Sequence, residues 1–351
     1  VSAEQQREIK FRSLADSLDR IGRVTPAEWL EPLTGAEWQY RRRARLAVKD
    51  VTNKGRVLVG FRELHAPYVT DMQRCEVLAG RAGAWPGVLG ELVGRLSIRS
   101  RIPQIEVAIG DSAAALVFRV LDEPSAYDRK LLADFARQED VQVWLQPGGL
   151  DSLVALAPAD PPPLTYALPE FDLIIEFQPV DFVQVNGDVN RAMVHRAVEL
   201  LAPDPGQRVL DLFCGLGNFS LPLARVGGTV LGIEGEPGLV ARARANARRN
   251  GIGNAEFRVA DLSRIDGRED WIRSGWDAVL LDPARAGAAE VVVRLARTGA
   301  RRVVYVSCHP GTLARDAGVL VHEQGFRFEA AGIIDMFPHT AHVESVAVFT
   351  K

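Results

Sequence analysis

Two side chains near the end of the chain have types suited to covalent catalysis. Cys308 lies in Val304-Tyr-Val-Ser-Cys-His-Pro310, where an apolar run ends and a helical pattern from Gly311 to Gln324 begins. A thiol at a helix N-terminus is expected to have its pKa lowered by the backbone dipoles, which raises the fraction of nucleophilic thiolate. A free cysteine can equally be a small buried hydrophobe, as most are. Glu344 lies in His339-Thr-Ala-His-Val-Glu-Ser345 and enters the last strand. A carboxylate there could share a cleft with Cys308, giving a nucleophile and a general base. His339 and His342 lack a third ligand at metal-site spacing, so hydrogen-bonding roles are expected of them.

A second constellation precedes these residues. Residues 209–224 read VLDLFCGLGNFSLPLA. The apolar run predicts a buried strand, Gly215 and Gly217 a tight turn, and the residues after Asn218 a helix whose N-terminal amides face a ligand. Ser220 takes the place of the third glycine of the dinucleotide fingerprint, which argues against NAD or FAD. A glycine turn can also be purely structural, since fold alone does not give function. Glu234 ends the next strand, where a carboxylate would hold ribose hydroxyls, and Asp282 ends another in Val279-Leu-Leu-Asp-Pro-Ala-Arg285. Cys214 and Cys75 are expected to be packing residues.

The elements that must position these groups follow from periodicity. From residue 171 strands and helices alternate, with strands near 209–213, 229–234, 255–260, 276–281 and 302–307 and a closing pair at 326–334 and 344–349. That alternation predicts an α/β, doubly wound, mostly parallel sheet whose final strand is antiparallel. Upstream, residues 39–165 read as a compact α+β domain. It opens with a basic hairpin at 40–62, turning at Asn53-Lys54-Gly55, continues with a helical stretch at 73–99, and ends at the Pro-rich 159–164. Arg41, Arg43 and Arg45 alternate along one strand with Lys49 beyond them. They form either a solvated face or a phosphate-contacting one. Residues 3–20 predict an amphipathic helix with Ile9, Leu14 and Leu18 near one face. The expected domains are therefore 1–38, a helical segment packing on the C-terminal domain; 39–165, an α+β unit whose basic hairpin is the candidate face for nucleic-acid phosphates; and 166–351, the α/β unit that carries Cys308 and Glu344.

Composition sets the outer limits. The 351 residues are 47% hydrophobic and 25% charged, enough for two cores, and the net charge of −3 exerts no global pull on nucleic acid. Three cysteines argue against a disulfide scaffold and lead to the expectation of a reducing cytoplasm.

Together the segments DLFCGLGNF, LLDPARAG, YVSCHPGTLARD and DMFPHTAHVES, with Phe182-Val-Gln-Val-Asn186, YRRRARLAVK and RVLVGFRE, resemble the RNA 5-methyluridine (uracil-C5) methyltransferases. Within that family the chain is most similar to the members that modify 23S ribosomal RNA. The resemblance implies a class I, Rossmann-like domain with a seven-stranded sheet. It implies S-adenosylmethionine as methyl donor, an RNA substrate, a monomer, Cys308 as nucleophile and Glu344 as base. It places Gln184, Phe213, Asn218, Glu234, Asp261 and Asp282 around the donor. Ribosomal members carry an N-terminal TRAM barrel and a four-cysteine iron–sulfur site. Three of those cysteines would lie upstream of residue 1, and Cys75 in Arg74-Cys-Glu-Val-Leu78 resembles the fourth. One thiolate cannot hold such a cluster, so no cluster is expected in this chain. The alternatives are a cytosine-C5 RNA methyltransferase, against which Glu344 and the Ser-Cys-His-Pro context argue, and a non-catalytic RNA-binding protein of the same fold.

Overall fold

The computed structural model describes residues 1–64 and 66–351. They divide into two compact units: residues 1–35, 167–175 and 188–351, and residues 36–166 with 176–187. The N-terminal helical segment thus belongs to the larger unit, and the segment 176–187 belongs to the smaller one.

The larger unit is built on an eight-stranded sheet. Its parallel part runs, in spatial order, through Ala255–Val259, Thr229–Glu234, Arg208–Leu212, Ala278–Leu281 and Arg302–Ser307. Strand Glu344–Thr350 adds antiparallel to Arg302–Ser307, and Arg327–Ile334 adds antiparallel to that. These are the seven expected strands. The eighth, Glu28–Trp29, pairs parallel with Ala330 and Ala331 at the edge. It comes from the proline-containing connection after the first helix, too short to register as a periodic pattern. The inner strands read as continuous aliphatic runs because both faces are covered: Val209, Leu210, Leu212, Val279, Leu280, Leu281, Val303 and Val304 are all inaccessible to solvent. The chain winds outward from Arg208–Leu212 and then returns to its other side at Ala278–Leu281. The order of strands reverses between these two, and a crevice opens at such a reversal, beyond the carboxyl ends of the strands.

The N-terminal helix, Ala3–Ser17, starts in a reciprocal capping box of Ser2 and Gln5 and passes into a π-helical turn, Leu18–Gly22. Leu14 and Leu18 enter the sheet's core alongside Leu313, Ala314 and Ala317. Ile9, however, is 61% exposed, and the buried position one residue later is Lys10, 3% exposed. The apolar periodicity misplaced this face because a lysine occupies the inward position at i−4 from Leu14.

The smaller unit has a six-stranded sheet in the order Arg56–Gly60, Arg43–Val51, Gln104–Ile109, Ala114–Arg119, Gln142–Gln146, Val154–Ala157. The basic hairpin forms as expected, with Gly55 at φ 62° closing its turn. The stretch 73–99 is helical from residue 80: a 3-10 helix, Gly80–Ala84, runs into the α-helix Trp85–Gly94, while residues 73–79 form a loop. Pro86 in the first turn, where a missing N–H costs nothing, marks its start. Trp85, Leu89 and Val93 bury its inner face, and Cys75 lies in the preceding loop rather than in a helix.

Candidate active site

The carboxyl ends of the central strands carry the expected groups of the larger unit. Strand Arg208–Leu212 ends in a backbone that only permissive residues adopt easily: Phe213 has φ 67°, Gly215 φ 53° and Gly217 φ 90°. A side chain at Gly215 would meet no atom within 4 Å, so this loop offers open backbone. The helix that follows, Ser220–Arg225, has only 6 residues and no side-chain cap. It supplies no strong N-terminal dipole, contrary to the expectation from the glycine turn. Polar side chains gather at these strand ends instead. Glu234 accepts from the amides of Gly215 at 3.1 Å, Gly235 at 2.7 Å and Glu236 at 3.1 Å, tying the glycine loop to the neighbouring strand end. Asn218 and Asn190 exchange amide hydrogen bonds of 2.9 and 3.1 Å, which fixes both side chains. Asp261, exposed at the end of the next strand, accepts from the Ser263 amide at 3.0 Å and its hydroxyl at 2.6 Å. Those hydrogen bonds hold its carboxyl below the usual range.

Beneath this rim lies Asp211, fully buried in the central strand. Ser220 donates a hydroxyl hydrogen bond to its Oδ2, while its Oδ1 has no partner among the described residues. Burial, reinforced by Asp282 and Glu234, pushes its pKa up to about 7. Cys214 is buried with its sulfur against Gly232, where an added Cβ would stand 2.9 Å from Sγ. It is a packing thiol, its pKa raised well above normal by burial.

The nucleophile candidate sits at the antiparallel junction. Ser307 pairs with Ser345 as the last rung between Arg302–Ser307 and Glu344–Thr350, and Ile334 pairs with Glu344 on the other side. Cys308 follows Ser307, the last residue of its strand, and Glu344 opens the neighbouring strand before Ser345, so the two lie at the same end of that rung, one step beyond it. Cys308 is half-buried, and His309 caps the helix Pro310–His322, its Nδ1 accepting from the Thr312 amide at 3.3 Å. Glu344 is 6% exposed and its Oε2 has no partner among the described residues. Burial first, and then Asp282, push the Glu344 carboxyl up to about 8; Lys10 opposes them. Burial alone pushes Asp282 up to about 7.

The Cys308 thiol moves in the opposite direction to that expected. Burial raises its pKa, and the Glu344 and Asp282 carboxyls add to the rise, against a lowering by Arg285. A helix dipole is a fraction of a charge, whereas two acids face this sulfur.

The larger unit therefore brings together Cys308, Glu344 and Asp282 through mutual electrostatics, and Glu234 with the glycine loop that carries Phe213 and Asn218. Gln184, half-buried, falls in the smaller unit. Asp211, Asn190, Arg285 and Lys10 were not singled out from sequence. Asp211 alone left a signal there, as an acid inside an aliphatic strand. His339 and His342 make hydrogen-bond contacts, His339 Nδ1 with Gln6 Nε2 at 3.3 Å and His342 Nδ1 with Arg285 Nη2 at 3.4 Å. Cys75 is a buried core residue of the smaller unit, and its single thiol does not fit a four-thiolate cluster.

A doubly wound sheet with a half-buried cysteine, paired acids and an open glycine loop at its switch point defines a group-transfer enzyme. The family model described as tRNA (Uracil-5-)-methyltransferase matches residues 170–351, and the chain belongs to that family. Along its whole length it is 53% identical to the 23S rRNA (uracil(1939)-C(5))-methyltransferase RlmD of Alkalilimnicola ehrlichii, covering 79% of that protein. It is 49% identical to the RlmD of Methylococcus capsulatus, again over 100% of this chain and 79% of the relative. The tRNA (uracil-54, C5)-methyltransferase of Pyrococcus abyssi, solved with S-adenosyl-L-homocysteine, shares the fold at TM-score 0.74 and 24% identity, covering 100% of this chain and 84% of that one. S-adenosylmethionine-dependent methylation of uracil C5 in RNA is the activity of this class.

Proposed function

We propose that the chain methylates one uridine of 23S ribosomal RNA through a transient bond between Cys308 and C6 of the base. The observation that carries this reading is the placement of Cys308 and Glu344 at the ends of adjacent strands, one step past the Ser307–Ser345 rung. Near identity of half the residues to RlmD proteins supports the ribosomal substrate. A cytoplasmic location follows from that substrate, and among the described residues no helix is long and apolar enough to cross a membrane.

S-adenosylmethionine fits the crevice: open backbone at Gly215 and carboxylates at successive strand ends, Glu234, Asp261 and Asp282, suit a ligand bearing hydroxyls and positive charge. When bound, it supplies an electrophilic methyl on a sulfonium. Asn218, held by Asn190, and Phe213 would line the same pocket, with Gln184 assigned there by its motif alone.

The residues of the chain supply the rest. Uracil C5 is a weak nucleophile until the C5–C6 double bond is polarised. The Cys308 thiolate adds to C6, and the displaced electron pair makes C5 nucleophilic. Covalent attachment divides one difficult step into easier ones. After C5 is methylated, the Glu344 carboxylate takes the C5 proton. The C–H electron pair reforms the C5–C6 double bond, the C6–S bond breaks, and Cys308 leaves as thiolate. The uridine must leave its stack to reach the sulfur, at least cost from a single-stranded loop.

The test is a denaturing gel of the protein incubated with S-adenosylmethionine and 5-fluorouridine-containing 23S transcript. A slow-migrating protein–RNA band is expected with the native chain and none with Cys308→Ala. On ordinary transcript, Glu344→Gln should accumulate such a band. Methylation by Cys308→Ala would reject the reading, and 5-methylcytidine as product would transfer it to cytosine.

A further inference from the structure

We propose that Lys10 is a positioning residue for the Glu344 base, gripping from the N-terminal helix the loop that delivers Glu344. This rests on the reading of Glu344 as the group that resolves the covalent intermediate.

Lys10 is an unusual residue to bury. Its Nζ donates to Asp335 Oδ1 at 2.7 Å and to the Phe337 carbonyl at 2.8 Å, and the two charged side chains are 4% and 5% exposed. An apolar pair would pack without the desolvation cost of two charges, so stability alone does not account for the arrangement. One helical turn earlier Gln6 faces the same loop. Its Oε1 accepts from the His339 amide at 2.8 Å, holding a histidine at φ 63°, a left-handed conformation costly for a side chain of that size. Gln6 and Lys10 thus form a two-point clamp, i and i+4 on one helix face, on residues 335–339.

The clamp bears directly on the base. Asp335 follows Ile334, and Ile334 is the cross-strand partner of Glu344. The clamped loop leaves and re-enters the sheet at that one rung, so its hold sets where Glu344 points relative to Cys308. The charged and titratable groups acting around this point are Asp282, which favours the neutral Glu344 carboxyl, Lys10, which favours the carboxylate but is ion-paired with Asp335, and Cys308 with Arg285. The Lys10–Asp335 pair therefore acts chiefly by holding the loop.

The experiment uses the full chain, S-adenosylmethionine and transcribed 23S RNA, following both the trapped adduct and its first-order release as functions of pH. Lys10→Met alone strands Asp335, so the informative variant is Lys10→Met with Asp335→Asn, which removes both charges; Lys10→Arg keeps the cation, and Glu344→Gln is the control. The double variant loses the clamp with no change in net charge, so it should still form the adduct at the native rate but release it about tenfold more slowly at pH 7.5, because the base is no longer held in place. Lys10→Arg should stay within about threefold of the native rate, given the retained charge. A release profile identical to the native one overturns the proposal. So does an equal fall in formation and release, which marks a purely structural pair. If Glu344→Gln fails to accumulate adduct, the base assignment itself is wrong and the Lys10 proposal falls with it.

Discussion

Cys308, just past the end of strand Arg302–Ser307, and Glu344, the first residue of the antiparallel neighbour, each lie one residue beyond the Ser307–Ser345 rung, and the Glu344 carboxylate raises the energy of the Cys308 thiolate. A thiolate and a carboxylate are both required in the proposed cycle, but at different moments. The thiol must ionise to add, and the acid must be ionised to take the C5 proton. With both pKa values raised, the pair disfavours carrying two negative charges at once.

Adduct formation should therefore climb with pH through the neutral and mildly alkaline range, because the Cys308 pKa lies above its ordinary value. Arg285 is the cation that opposes this rise. Arg285→Gln should slow adduct formation roughly three- to tenfold at pH 7.5, with the deficit shrinking at higher pH. Stopped reactions with 5-fluorouridine RNA across pH 6.5–9.5 measure this; a constant deficit at every pH would assign Arg285 to RNA contact instead.

Asp211 gives a stability prediction with a definite sign. Its carboxyl lies near 7 in the folded chain against about 3.9 when unfolded. A raised acid binds its proton more tightly in the native state. Its contribution is present in full below the unfolded value and is lost as pH rises through about 7. Asp211→Asn, which keeps an acceptor for the Ser220 hydroxyl, should match the native melting temperature near pH 4 and exceed it at pH 8. The shift corresponds to a few kcal/mol at most, taking roughly 1.4 kcal/mol per pKa unit. Calorimetry at both pH values checks this, and a lower melting temperature for the variant at pH 8 would contradict it.

The basic strand of the smaller unit divides into two kinds of arginine. Arg43 is 15% exposed, bonded to the Pro179 carbonyl and 3.2 Å from Glu106, and burial lowers its pKa. Arg45 is 70% exposed, and Lys49 is exposed as well. Arg43→Glu should destabilise the unit by about 3 kcal/mol, as an acid placed on a part-buried acid. Lys49→Glu should leave the melt unchanged, weaken RNA binding, and reduce the slope of log K against log salt by about 0.7–0.9. Filter binding at several salt concentrations decides this, and an unchanged slope would remove the strand from the RNA face.

Much of this was legible in the sequence where a pattern repeats. Seven strands of the large sheet declared themselves as aliphatic runs between helical stretches, and Gly55 marked the hairpin turn. What escaped was non-periodic. The strand Glu28–Trp29 has too few residues for a period, and the loop at 73–79 runs into a helical stretch with no glycine or proline to mark the boundary before Gly80. Lys10 was hidden because burial of a charge depends on Asp335, a partner more than three hundred positions away. The same holds for Cys308: its neighbours in sequence predict an activated thiol, and its neighbours in space, Glu344 and Asp282, reverse the direction. Long-range electrostatics leaves no local trace.

The most direct measurement is peptide mass mapping of the complex formed with 5-fluorouridine RNA and S-adenosylmethionine, after digestion by protease and nuclease. The expected species is the peptide containing Cys308 carrying one 5-fluoro-5-methyl-dihydrouridine nucleotide through sulfur. Attachment at Cys214 or Cys75, or quantitative uridine methylation with Cys308 recovered unmodified and replaceable by alanine, would contradict it.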